Sequence, residues 1–197
     1  MTVGYPYIIF KKLSKILEDE ARLFLDWYVD KKLKKPKQIK FKKDYNKIIK
    51  DLIKKIRLKN DTFVHRDFHI SNLMRVKNEI GIIDSQDVLL GNKAYDLASL
   101  IDDVRFQTSK NFKQKLFNYY IKSQKKINKQ DFISDFEIIS VLRNLKIIGI
   151  FTRLAVRDKK KKYLKLIPYA WNLIKLRSRN SDKFKNLNDL LNTLKKS

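Results

Sequence analysis

Both histidines of the chain, an aspartate and an asparagine fall within one short stretch, FVHRDFHISNLM, residues 63–74. His65, Asp67 and Asn72 form the pattern H-x-D-x-x-x-x-N, and a second aspartate, Asp84, follows twelve residues after Asn72 in IIDSQD. These residue types suit phosphoryl transfer. An aspartate can accept the proton of an attacking hydroxyl, while an amide oxygen and a second carboxylate can hold magnesium against nucleotide phosphates. Magnesium takes few hard oxygen ligands from protein and keeps several waters, so Asn72 with Asp84 is a sufficient contribution. Two other readings remain open. His65 and His69 have the i, i+4 spacing of zinc ligands on a helix, although the segment has no helical period and no flanking glutamate to act as base. A plain hairpin whose polar residues cap its loops would also produce the match. In the phosphoryl-transfer reading His65 holds the loop, and His69 serves as a substrate contact or a support behind the catalytic groups.

Such residues need a frame. The texture around them is β-like, with apolar runs Leu73–Val76 and Ile80–Ile83 separated by KNE, which predicts a hairpin. Antiparallel pairing would return the chain and bring Asn72 and Asp84 to the same end. Everything else reads as helix. Leu13, Ile16, Leu17, Leu23, Phe24, Trp27 and Tyr28 recur with helical spacing, as do Tyr45, Ile48, Ile49, Leu52, Ile53 and Ile56, with Asp44 as the expected cap of the second stretch. KKLKKPKQIKFKK between them reads as a loop. Helical periods resume in YDLASLIDDVRF, FKQKLFNYYIKSQ, DFISDFEIISVLRNLKIIGIFTRLAVRD, YLKLIPYAWNLIKLRS and FKNLNDLLNTL. The fold class is therefore α+β, mainly α, with a small catalytic hairpin among helices.

Composition narrows the functional classes. The 197 residues can bury a sizeable core, and with 43% hydrophobic residues they do not show the signature of disorder. Cysteine is absent, which removes disulfides and thiolate zinc sites. No apolar run reaches the length of a membrane span, and the first residues carry too short an apolar stretch for a signal peptide, so the expected location is cytoplasmic. The net charge of +25 suggests polyanion binding, but lysine is spread over every helix and forms no stripe with stacking aromatics. Nucleic-acid contact is expected to be nonspecific and salt-sensitive only.

FVHRDFHISNLM, GIIDSQDVLLGNKAYDLASLIDD and RNLKIIGIFTRLAVRDKKKKYLKLIP together resemble the aminoglycoside phosphotransferase family of the protein-kinase-like fold, and most nearly its branch of N-acetylmuramate/N-acetylglucosamine kinases of cell-wall recycling. The likeness runs from about Glu20 to Pro168. It implies ATP as co-substrate with Mg2+, Asp67 as catalytic base, Asn72 and Asp84 as metal ligands, and Asp96 as a buried carboxylate supporting the catalytic loop. Gln86 and Asp87 match the branch, and Asp87 is placed to hydrogen-bond the acceptor or a magnesium-bound water. The block LKIIGIFTRLAVRD reads equally as an acceptor-site helix or a core helix. Three positions depart from the pattern: Ser85 replaces an aromatic, Gly91-Asn92 replaces Gly-Pro, and Lys159 replaces the glycine of an Arg-Asp-Gly-Lys turn.

The resemblance is to a C-terminal lobe, residues 1–197, without the nucleotide lobe that precedes the catalytic loop in such kinases. Only four glycines occur, at 4, 81, 91 and 149, so no Gly-rich phosphate loop can be drawn, and YPYIIF reads as a remnant of the crossover between lobes. A separate N-terminal lobe is an expected partner beside the sugar and ATP, and an apolar patch is expected around the first helix where that lobe would sit. The chain is read as an ATP-dependent kinase of a sugar hydroxyl. The alternatives are a kinase of aminoglycosides or other small molecules, or a noncatalytic module that binds sugar or uses its basic surface.

Overall fold

The computed structural model describes residues 13–124 and 126–194. Its centre is the 28-residue helix α6, Lys129–Val156. From Ile138 to Gly149 every residue of α6 is buried, on all sides of the helix. A helix apolar all round belongs inside a bundle, and α6 is wrapped by α1 (Leu13–Leu23), α4 (Ala94–Ile101) and α7 (Ile167–Ser178). Helix α3, Lys35–Ile53, covers α1, and α8, Lys185–Thr193, closes over α3. The short α2, Asp30–Lys32, ends the first helical run, and α5 spans Lys110–Ser123.

The first run changes pitch. After Leu23 it becomes a π-helix over Phe24–Val29, a wider turn that shifts side chains around the axis. Leu25 and Val29 are buried as a result, whereas Trp27 and Tyr28, which regular spacing would have sent inward, are half-buried. The change occurs where the backbone presses on α6. A Cβ on Gly149 would lie 2.3 Å from the Leu23 carbonyl oxygen and 2.7 Å from the Phe24 nitrogen. Only glycine admits that approach. Phe24 then stacks on Tyr28 and Tyr45 and meets Trp171 edge-on, with centroids 5.3, 5.6 and 5.8 Å away.

The expected loop with Asp44 as a cap is corrected: α3 begins at Lys35, with Pro36 in its first turn, and Asp44 lies mid-helix. Proline is preorganised for that position. Phe41 extends the buried stripe of Tyr45, Ile49 and Leu52 one turn earlier, so core packing holds the lysine-rich turns helical.

Two small antiparallel sheets interrupt the helices. Strand β2, Leu73–Val76, pairs with β3, Glu79–Ile82, through a two-residue turn in which Lys77 takes φ 54°. Strand β1, Thr62–Val64, pairs with β4, Leu89–Gly91, a pairing not anticipated from the sequence. Together they put the hairpin on the end of the loop that carries Asp67. The expected apolar patch around α1 is also corrected, because Leu13, Leu17 and Ala21 are buried against α6 and α3. Exposed apolar side chains gather instead on the strands and their flanks, at Phe63, Met74, Val76, Ile80, Ile82 and Leu90. The YPYIIF segment lies outside the described residues.

Candidate active site

The loop after β1 bends at Arg66. Arg66 adopts φ 71°, a left-handed conformation that costs a non-glycine residue about 1–2 kcal/mol. Asp96, in the first turn of α4, holds this geometry: its Oδ2 accepts from the His65 amide at 2.7 Å and its Oδ1 from the Arg66 amide at 3.0 Å. Burial raises the Asp96 pKa, and the two amides oppose that rise by stabilising the ionised form. Asp67 follows at once, half-buried. Its carbonyl oxygen accepts from the His69 amide at 2.9 Å and from Asn72 Nδ2 at 3.0 Å, which folds residues 67–72 into a compact turn. Its carboxylate makes no hydrogen bond or ion pair with any described residue.

The hairpin does what its spacing predicts. Leu73 pairs with Ile82, and one step further the Ile83 amide donates to the Asn72 carbonyl at 3.1 Å, so Asn72 and Asp84 leave the sheet at one end. The His65 ring reaches across, donating from Nε2 to the Ile83 carbonyl at 3.0 Å, and ties the loop of Asp67 to the strand leading into Asp84. Asp84 has φ 65°, is exposed and has no partner among the described residues. The Asn72 amide nitrogen is spent on the Asp67 carbonyl, which leaves its oxygen uncommitted. One amide oxygen and one free carboxylate fit a hard cation that retains water. No cluster of three or more His, Cys, Asp or Glu suited to a metal occurs among the described residues.

His69 is buried, and its Nδ1 has no partner among the described residues. Its pKa is lowered first by burial and then by the charge of Arg105, against weaker opposition from Asp103 and Asp67. Gln86 and Ser85 are exposed and unbonded among the described residues, and Asp87 lies 4.0 Å from Arg66. Asn92, at the position where the resemblance expected proline, is fully buried: its Oδ1 accepts from the Ala94 amide and its Nδ2 donates to Asp135, which also receives the Arg57 and Leu58 amides. Lys159 holds its turn at φ 60°.

The residues missed in the sequence are those that grip the loop from a distance. Glu20, on α1, accepts from Arg66 Nη2 at 2.7 Å, from Lys146 Nζ at 2.9 Å and from the Tyr95 hydroxyl at 2.8 Å. Burial pushes its carboxyl up, but the Lys146 charge and the three hydrogen bonds bring it below its ordinary value. Arg143 stacks over the Tyr95 ring at 5.1 Å. No local pattern marks Glu20, which looks like one more charge on an amphipathic helix. Of the acidic residues that could have welcomed a polycationic acceptor, Asp102 and Asp103 are committed elsewhere and Asp87 is exposed. Asp102 pairs with Arg177, Lys113 and Ser140, and Asp103 with Arg105 and the Ile70 amide.

The chain is similar to known proteins. The family model described as "Phosphotransferase enzyme family" matches residues 7–128. Among curated proteins, the N-acetylmuramate/N-acetylglucosamine kinase of Neisseria meningitidis serogroup B is 32% identical over 166 residues, covering 81% of this chain and 50% of the relative. Those of the same name from Caulobacter vibrioides and Pseudomonas aeruginosa are 31% and 28% identical, over 55% and 91% of this chain and 31% and 55% of theirs. The chain spans about half the length of the curated relatives it matches. With a matched loop, hairpin and supporting helix α4 inside the family's bounds, the chain belongs to the phosphotransferase enzyme family.

Proposed function

We propose that this chain is the catalytic and acceptor-binding half of an ATP-dependent kinase that phosphorylates a hydroxyl of an N-acetylated amino sugar, N-acetylmuramate or N-acetylglucosamine, in cytoplasmic cell-wall recycling. One observation carries the reading: the Ile83–Asn72 backbone bond closes a hairpin that delivers Asn72 and Asp84 together beside the turn of Asp67. Asp67, free of protein partners, accepts the proton as the sugar oxygen attacks the terminal phosphoryl group. Asn72 and Asp84 would hold Mg2+, which would neutralise phosphate charge during transfer. His65 and Asp96 keep the loop rigid, so the base needs no reorganisation during the reaction. His69, Gln86 and Asp87 line the approach of the acceptor. The exposed apolar residues Phe63, Met74, Val76, Ile80 and Ile82, which lie on both faces of the hairpin and on the neighbouring sheet, are read as surroundings of the nucleotide and of a nucleotide lobe, which also supplies the remaining phosphate contacts. No helix among the described residues is long and apolar enough to cross a membrane.

The commitment of Asp102 and Asp103 to protein partners disfavours an aminoglycoside acceptor, because it leaves a polycation less acidic lining, although Asp87 is still exposed. The test is Asp67→Asn with a nucleotide lobe supplied. Sugar phosphorylation is expected to fall by about 10²–10⁴-fold with sugar binding retained. Unchanged turnover would remove Asp67 from the mechanism. The 197-residue chain alone is expected to phosphorylate N-acetylglucosamine slowly or not at all. Brisk turnover by the pure chain would show that it needs no second lobe.

A further inference from the structure

We propose that Glu20 is a positioning residue for the transfer, acting through Arg66 on both the loop of Asp67 and the loop of Asp84. The inference rests on the roles proposed for those two aspartates. Arg66 immediately precedes Asp67 and holds the left-handed φ of 71° that aims the loop. Its backbone is fixed by Asp96, but its side chain answers to two other elements. Nη2 is 2.7 Å from Glu20 Oε1, while Nη1 lies 3.5 Å from the Asp87 carbonyl oxygen and 4.0 Å from Asp87 Oδ1. One planar guanidinium thus spans from a buried carboxylate on α1 to the segment three residues beyond Asp84. Glu20 in turn is anchored by Lys146 from α6 and Tyr95 from α4, so the fixed end of the bridge is the helical core.

A staple that merely joined α1 to α6 would be complete with Glu20 and Lys146. Arg66 adds nothing to that joint, yet it is the member drawn from the catalytic loop and the one that touches the exposed loop of carboxylates. Arginine suits the task because its rigid fork presents separate donors in two directions, which a lysine ammonium cannot do over the same span. Removing the Glu20 charge would leave two cations, Arg66 and Lys146, facing each other without their shared anion, and the guanidinium would turn toward solvent and release both loops.

The experiment uses the 197-residue chain, with Arg66→Lys and Glu20→Gln as variants. Arg66→Lys keeps a cation beside Glu20 but cannot bridge, and it decides the matter if Glu20→Gln fails to fold. Amide exchange at His65, Arg66 and His69 is expected to accelerate at least tenfold, and the backbone order parameter at Asp87 to drop, while amides of Ile138–Gly149 exchange as before. Unchanged loops, or equal acceleration throughout α6, would overturn the proposal; so would a change confined to the Asp67 loop, since the bridge would then not exist. With a nucleotide lobe supplied, kcat in Arg66→Lys is expected to fall at least tenfold with the KM for N-acetylglucosamine kept, and a wild-type kcat would likewise overturn it. If Asp67→Asn turns over normally, the proposed reaction fails, while the exchange result still decides whether Glu20 steadies the two loops.

Discussion

Two regions of this molecule use the same residue types to opposite ends. Around α6, buried charges are committed: Asp102 meets Arg177, Lys113 and Ser140, and Asp135 accepts the Arg57 and Leu58 amides and Asn92. Around the hairpin, the Asp67 and Asp84 carboxylates have no hydrogen bond or ion pair to any described residue, and Arg66, Lys77 and Asp84 occupy left-handed backbone conformations. A carboxylate already satisfied by protein stabilises a fold and can do little else. One left free on a strained but well-held turn is available to a proton or a cation, and its cost is borne by the surrounding structure. Asp96 and Glu20 stand at the boundary, core carboxylates whose bonds end on the catalytic loop.

The contrast can be broken most forcefully at Asp102. Asp102→Ala leaves Arg177 and the buried Lys113 without their anion and is expected to cost about 3–5 kcal/mol. Asp84→Asn, by contrast, is expected to stay within about 0.5 kcal/mol of the parent, since an exposed group without partners is changed. Urea unfolding of the two variants checks the pair, and similar losses would erase the distinction. Next is Gly149→Ala, whose methyl group would collide with the Leu23 carbonyl. The expected loss is about 1–3 kcal/mol, read as a lower melting temperature, with the π-helical turn displaced.

Acid sharpens the boundary. The Glu20 pKa is lowered from 4.5 in the folded chain. Its contribution is therefore fully present above that ordinary value and is lost as pH falls through the lower folded one. Stability measured from pH 6 downward is expected to show an acid limb that weakens in Glu20→Gln, and an identical limb would mean that Glu20 is not held ionised. The smallest effect is expected at Lys159, where φ is 60°. Lys159→Gly removes a side chain from the left-handed region and is expected to raise stability by up to about 1 kcal/mol, seen as a small rise in melting temperature.

Much of the site was legible because its geometry is local. His65, Asp67, Asn72 and Asp84 are carried by one turn and one hairpin, and two short apolar runs around a short polar break suffice to predict that Asn72 and Asp84 share an end. A departure was legible too: Lys159 stands where the pattern has glycine, and its φ is 60°. What escaped was whatever depended on a partner's surface. Pro36 looked like a loop marker until Phe41 was seen to belong to the buried stripe, and the regular helix read through Trp27 and Tyr28 missed the wide turn at Phe24. The apolar patch was assigned to α1 as the place where a nucleotide lobe would sit, whereas the cover that the apolar face of α1 finds in α6 was not visible.

The sequence by itself determined the helical stripes, the catalytic hairpin, the loop residues that suit phosphoryl transfer and the family likeness, because each depends on neighbours a few positions apart or on a local pattern. Tertiary structure alone decided that Glu20 would meet Arg66, Tyr95 and Lys146, which lie 46, 75 and 126 positions away, and that Gly149 would admit the backbone at Leu23. The physical reason is that periodicity reports which side of an element is buried. Which charge or backbone waits on the other side is set by how helices distant in sequence come together in the folded chain.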